Sequence, residues 1–159
     1  MKLRIHIPGQ TLDVLDEAGR IETSYPVSTA ANGPGEEAGS YCTPRGRHVI
    51  RAKIGAGQAL NAVFVARRPT GEVYTPALGA AHPGRDWILT RILWLSGREP
   101  GYNRLGSCDS MRRYIYLHGT PDETFEQAPR SHGCIRMRNA DLAALFERVP
   151  VGTAVEILA

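Results

Sequence analysis

The stretch Tyr114-Ile115-Tyr116-Leu117-His118-Gly119-Thr120, taken with Ser131-His132-Gly133-Cys134-Ile135-Arg136, decides how the rest of the chain is understood. In the first segment an apolar run carries a histidine to the end of a strand. In the second a thiol follows a glycine. A free thiol with a pKa near ~8.5 is only a few per cent ionised at neutral pH, so a nucleophilic cysteine needs a neighbouring base. His118 is the candidate base and Cys134 the candidate nucleophile. No acid flanks either histidine of these segments, so the Gly119 carbonyl is the candidate orienter of the imidazole. The N–H groups of Gly133 and Cys134 are candidate donors to an oxyanion, a role typically worth about 3 kcal/mol of barrier per donor. Cysteine-dependent acyl transfer is the chemistry this conjunction serves.

Most of the rest of the chain reads as short strands. Leu3, Ile5 and Ile7 alternate with polar residues, and Leu12, Val14 and Ile21 flank an Asp16–Gly19 turn. Further strands are expected over Gly46–Ile54, over Ala62–Ala66 and Gly71–Tyr74 around an Arg67–Thr70 turn, over Trp87–Leu95 and over Thr153–Leu158. The spacing of Leu142, Leu145, Phe146 and Val149 predicts one amphipathic helix, with Asn139 as its N-cap and Pro150 and Gly152 as its stop. Long loops are expected over Ala31–Ser40 and Ser96–Arg113, the second near the thiol because it leads into the His118 strand. One mainly β domain over residues 1–159 follows.

Composition narrows the function classes. Apolar residues make up 42% and charged residues 22%, ordinary for a globular chain. The net charge is only +3, although all but two of the nineteen cationic side chains are arginine. Arginine forks suit carboxylates, and no basic run interleaved with aromatics suggests nucleic acid. Nothing approaches the ~18 consecutive apolar residues of a membrane span. The N-terminus carries no secretory leader pattern, so a cytoplasmic location is expected if Met1 is the native start, and a periplasmic one if a leader was removed.

Three cysteines, Cys42, Cys108 and Cys134, leave at least one thiol free, and a Cys42–Cys108 disulfide stays open. A zinc site from His118, His132, Cys134 and His48 is the metal alternative. Its His-x-Cys pair has no second close pair to complete it.

The segments Tyr114–Thr120 and Ser131–Asn139 resemble the L,D-transpeptidase catalytic domain (YkuD) family, with weaker support from Tyr25-Pro26-Val27-Ser28-Thr29 and Thr43-Pro44-Arg45-Gly46. The resemblance implies a β-sandwich with a covering helix and long active-site loops. It also implies action on peptidoglycan stem peptides, a peptidoglycan-derived tetrapeptide or muropeptide. Cys134 would attack the carbonyl of the third residue, usually meso-diaminopimelate, and expel the terminal D-Ala. His118 would be the base, helped by Gly119, with Gly133 and Cys134 as oxyanion donors. Ser131 and His132 would line the pocket, Arg136 would meet a substrate carboxylate or else a local acid, and Tyr116 would shape the wall. No cofactor is required, and a carbapenem should trap the same thiol. Water as acceptor gives L,D-carboxypeptidase activity and peptidoglycan recycling; an amine gives a 3→3 crosslink. The alternative of another class is a peptidoglycan-binding module with an incidental thiol.

Overall fold

The computed structural model describes residues 1–159. Ten strands follow in chain order: β1 Lys2–His6, β2 Thr11–Leu15, β3 Ile21–Ser28, β4 Gly46–Ile54, β5 Ala62–Val65, β6 Arg68–Val73, β7 Ile88–Gly97, β8 Tyr116–Gly119, β9 Ile135–Met137 and β10 Ala154–Leu158. They hydrogen-bond in the order β4-β10-β1-β2-β3-β9-β8-β7-β5-β6, and a further β4–β7 pairing closes the sheet on itself. The expected sandwich is thus a closed, mainly β sheet, which leaves no open edge along the ring. The β5–β6 hairpin hangs from β7 outside that ring.

The core follows from alternation. Leu3, Ile5, Leu12, Val14, Val27, Ile50, Leu93, Leu95, Leu117, Ile135, Met137, Val155 and Ile157 are all buried in one cluster. Helix α2 (Asn139–Arg148) adds Leu142, Leu145 and Phe146, and Val149 follows as its C-cap. Each such side chain stabilises by about 1.5–3 kcal/mol on burial. Lys53 donates to the Phe146 carbonyl at 2.6 Å, placing a cation at the negative end of the helix.

Three expectations change and one open question closes. Arg138, not Asn139, is the N-cap of α2, and Asn139 is its first helical residue with a buried side chain. A short helix α1 (Pro76–Ala81) precedes β7; Thr75 caps it by accepting from the Leu78 N–H at 3.1 Å, and Pro76 opens it. The turn between β5 and β6 is two residues, Ala66 and Arg67, at φ +48° and +64°. These non-glycine residues in a left-handed turn hide it from a sequence reading. Finally, all three cysteines are free thiols.

The long segment between β7 and β8 is tied to the sheet by a side chain of β4. Buried His48 on β4 donates from Nδ1 to the Gly46 carbonyl at 3.0 Å and accepts at Nε2 from Ser110 Oγ at 2.7 Å. Burial pushes its pKa below the usual 6.5. Protonation therefore favours the unfolded chain: the contribution is intact above about pH 6.5 and is lost as the pH falls through the depressed value. The melting temperature is expected to fall on acidification below that point. In His48→Gln the fall should be shallower, as measured by thermal unfolding at several pH values.

Candidate active site

Parallel pairing of β8 with β9 builds the site. Leu117 lies opposite Ile135, His118 opposite Arg136 and Gly119 opposite Met137. Side chains alternate along a strand, so Leu117, Ile135 and Met137 point into the core. Tyr116, His118, Cys134 and Arg136 consequently share the opposite face. This register sets the thiol and the imidazole, 16 positions apart in sequence, on one face of adjacent strands.

His118 is 2% exposed, and its Nδ1 is 2.7 Å from the Gly119 carbonyl. A carbonyl only accepts, so Nδ1 carries the hydrogen and Nε2 keeps its lone pair. Glycine at 119 has a steric cause: a Cβ there would stand 2.1 Å from Asn139 Oδ1 and 2.7 Å from the Leu89 carbonyl. Asn139 in turn accepts from Thr90 Oγ1 at 2.6 Å and donates to the Thr120 carbonyl at 2.8 Å. Thr90 sits in a β7 bulge at φ +76°, an unusual conformation for a β-branched residue. Asn139 thus fastens the strand end that carries His118 to the bulge and to the start of α2.

The half-buried Cys134 thiol donates to the Tyr114 carbonyl at 3.2 Å and accepts from the Tyr116 N–H at 3.4 Å. Burial pushes its pKa up to about 11; the Tyr116 N–H, Arg136 and Arg113 act in the opposite sense, and Asp86 adds to the rise. Burial also lowers the pKa of His118, against the pull of the Gly119 carbonyl and Asp86. Both shifts favour a neutral thiol and a neutral imidazole over a preformed ion pair.

The loop before the thiol is strapped from below. Ser131 is buried, donates from Oγ to the Cys134 carbonyl and accepts from the Gly133 N–H at 3.2 Å. Two expectations are corrected by these contacts. Ser131 lies beneath the loop instead of lining a pocket, and the Gly133 N–H is turned to Ser131, leaving the Cys134 N–H as the candidate oxyanion donor. Gly133 adopts φ +131°, and a Cβ there would press on the Cys42 carbonyl at 3.2 Å and Ile115 Cδ1 at 3.3 Å. Buried Thr43 donates to the Gly133 carbonyl at 2.9 Å and accepts from the Ala30 N–H. Arg113 donates to the carbonyls of Gly35, Glu36 and Cys42, joining the two long loops under the same segment.

Around the thiol, Arg67 donates to the Tyr116 hydroxyl at 3.1 Å. Its guanidinium stacks over Trp94 and Tyr114, 5.2 and 4.7 Å from the ring centroids. Tyr116 is nearly fully buried, with Trp94 edge-on. His132 is exposed and lines a shallow cleft with Tyr41, Arg112 and Arg113. Arg136 lines a second cleft of about 460 Å³, with Trp87, Thr120 and Glu123. Its Nη2 is 3.3 Å from Asp86 Oδ1, so a local acid does stand beside it. The zinc alternative lacks its geometry: His48 is committed to Gly46 and Ser110, and no three His, Cys, Asp or Glu side chains converge.

The L,D-transpeptidase catalytic domain (YkuD) family model matches residues 2–157. The chain belongs to that family. This L,D-transpeptidase-family enzyme is 32% identical over 131 residues to the probable L,D-transpeptidase ErfK/SrfK of Salmonella typhimurium, covering 74% of this chain and 40% of that protein. It is 46% identical over 46 residues to the probable L,D-transpeptidase YbiS of Escherichia coli, covering 29% of this chain and 15% of that one. The chain therefore spans less than half the length of these relatives. Among solved structures, an L,D-transpeptidase from Xylanimonas cellulosilytica matches 98% of this chain and 59% of its own, at TM-score 0.55 and 18% identity. L,D-transpeptidase 3 from Mycobacterium tuberculosis, solved with a faropenem-derived adduct, matches 99% of this chain and 59% of its own, at TM-score 0.53 and 13% identity. At these identities the likeness is one of fold.

Residues missed by sequence reading are Thr43, Asn139 in its buried role, Thr90, Arg113, Arg67 and Asp86. Asn139 closes the second motif segment and was legible only as a cap. Alkylation tests the charge state directly. The rate at Cys134 with iodoacetamide, followed by peptide mapping, is expected to climb about tenfold per pH unit above neutrality, toward an inflection at about 11. A plateau already reached at pH 7 would mean a standing thiolate.

Proposed function

We propose that the chain is a cysteine acyl-transfer enzyme that cleaves the bond between diaminopimelate and D-Ala in peptidoglycan stem tetrapeptides. The observation that carries this reading is the placement of Cys134 and a Nδ1-protonated His118 on one face of adjacent strands. As substrate binds, the thiol leaves the Tyr114 carbonyl and passes its proton to Nε2 of His118 while Sγ attacks the carbonyl carbon. Such hydrogen bonds commonly tighten only in the Michaelis complex. The Cys134 N–H meets the developing oxyanion, and the Tyr116 N–H stabilises charge left on sulfur. Collapse of the tetrahedral intermediate breaks the C–N bond, and the imidazolium returns its proton to the departing D-Ala amine. Water, activated by the same Nε2, then cleaves the thioester and restores the thiol.

Water is the acceptor we favour, because the thiol is only partly buried and hydrolysis of the thioester needs no second peptide beside it. The names of the relatives support the second reading, an amine acceptor and a 3→3 crosslink. A pure binding module has no evident use for the His118–Gly119 arrangement.

Incubation with a defined tetrapeptide, with and without an amine acceptor, separates these readings by mass spectrometry. Tripeptide and free D-Ala are expected whether or not the amine is present. Crosslinked dimer would move the assignment to the second reading. Cys134→Ala is expected to lower D-Ala release by at least about 10³-fold while leaving the melting temperature close to that of the parent. Retained activity would refute the mechanism. A carbapenem is expected to add its mass at Cys134, and modification at Cys42 or Cys108 instead would contradict the assignment.

A further inference from the structure

Asp86 lies in the turn before β7 with 54% of its side chain exposed, at the mouth of the larger cleft. Its Oδ1 is 3.3 Å from Arg136 Nη2 and its Oδ2 is 3.9 Å from His132 Nδ1. Those partners stand two residues after and two residues before Cys134, so the carboxylate spans the candidate nucleophile. The other charged groups of the cleft are already engaged. Glu123 accepts from the Tyr74 hydroxyl, and Arg85 donates to Glu72 at 2.9 Å. Asp86 has one hydrogen bond, to Arg136, and its half-exposed carboxylate lines the cleft with acceptor capacity to spare.

A negative charge here opposes ionisation of the thiol. Thiolate formation therefore gives no reason for a carboxylate at this position, whereas recognition of a cation does. We propose that Asp86 is a specificity-determining residue that binds the side-chain ammonium of a diamino acid in the third position of the peptide substrate. Arg136 beside it then serves a carboxylate of the same zwitterionic group. The pair reads both charges of one amino-acid head, and the cleft of about 460 Å³ has room for it. A bound ammonium also cancels the charge that disfavours the thiolate, so the correct substrate eases the activation of its own attacker. This inference rests on the tetrapeptide reading above.

The test uses the full chain and two tetrapeptides that differ only in the third side chain, one ending in an ammonium and one in a methyl group. From D-Ala release, kcat/KM is expected to favour the ammonium peptide by roughly tenfold or more, the factor that about 1.4 kcal/mol makes. In Asp86→Asn that ratio should collapse to near one, and Asp86→Glu should keep part of it. Calorimetric binding of both peptides to Cys134→Ala should show the same preference, removed by the second substitution Asp86→Asn. A ratio preserved in Asp86→Asn, with both peptides losing equally, would overturn the proposal in favour of mere support for Arg136 and His132. So would the absence of any preference in the parent. If the parent cleaves neither peptide, the acyl-transfer reading fails while the binding contrast still decides the subsite. Binding of neither peptide to Cys134→Ala overturns the subsite as well.

Discussion

Parallel pairing of two very short strands, Tyr116–Gly119 and Ile135–Met137, is the constraint on which the site depends. Leu117, Ile135 and Met137 are fully buried, and burying them fixes which way their neighbours point. A slip of one residue would turn Cys134 and Arg136 into the core and Ile135 into solvent. The loss of several apolar side chains, at about 1.5–3 kcal/mol each, makes such a slip prohibitive. Hydrophobic register is therefore what aims the thiol. Strands this short cannot hold their register alone, and the surrounding straps supply the rest: Thr43 and Ser131 beneath the cysteine loop, Asn139 beneath the histidine.

The same burial that sets the geometry also sets the charge. Enclosed in a low-dielectric corner, thiol and imidazole both prefer neutrality. The Gly119 carbonyl fixes the tautomer without adding an acid's full charge, which distinguishes this arrangement from an Asp-oriented triad. In the proposed mechanism proton transfer then accompanies attack. Two arginines soften the penalty from one side, while Asp86 increases it from the other until a cation arrives.

What was legible in the sequence is what local pattern encodes. The alternation of Leu3, Ile5 and Ile7, the Asp16–Gly19 turn and the stripe of Leu142, Leu145, Phe146 and Val149 all translate into the observed elements. The two motif segments offered the candidate nucleophile and base because such chemistry is carried by residue type. The supporting contacts were not readable, since they join side chains to backbone across long separations. Thr43 meets Gly133 over 90 positions and Arg113 meets Cys42 over 71. Nothing in the sequence near Thr43 announces its partner. Arg67 was hidden because its tight turn uses Ala and Arg where glycine or asparagine is the usual signal. The expected cap at Asn139 failed for a related reason: the same side chain is needed inside, by Thr90 and Thr120.

The central claim is that His118 rests as a neutral base with its hydrogen on Nδ1. Nitrogen-15 NMR of the labelled protein at pH 7 measures this directly, with Cys134→Ala as a control for coupling to the thiol. One protonated nitrogen, Nδ1, directed at the Gly119 carbonyl, and an unprotonated Nε2 are expected in both proteins. Two protonated ring nitrogens in the parent, lost in Cys134→Ala, would reveal a standing thiolate–imidazolium pair and contradict that claim.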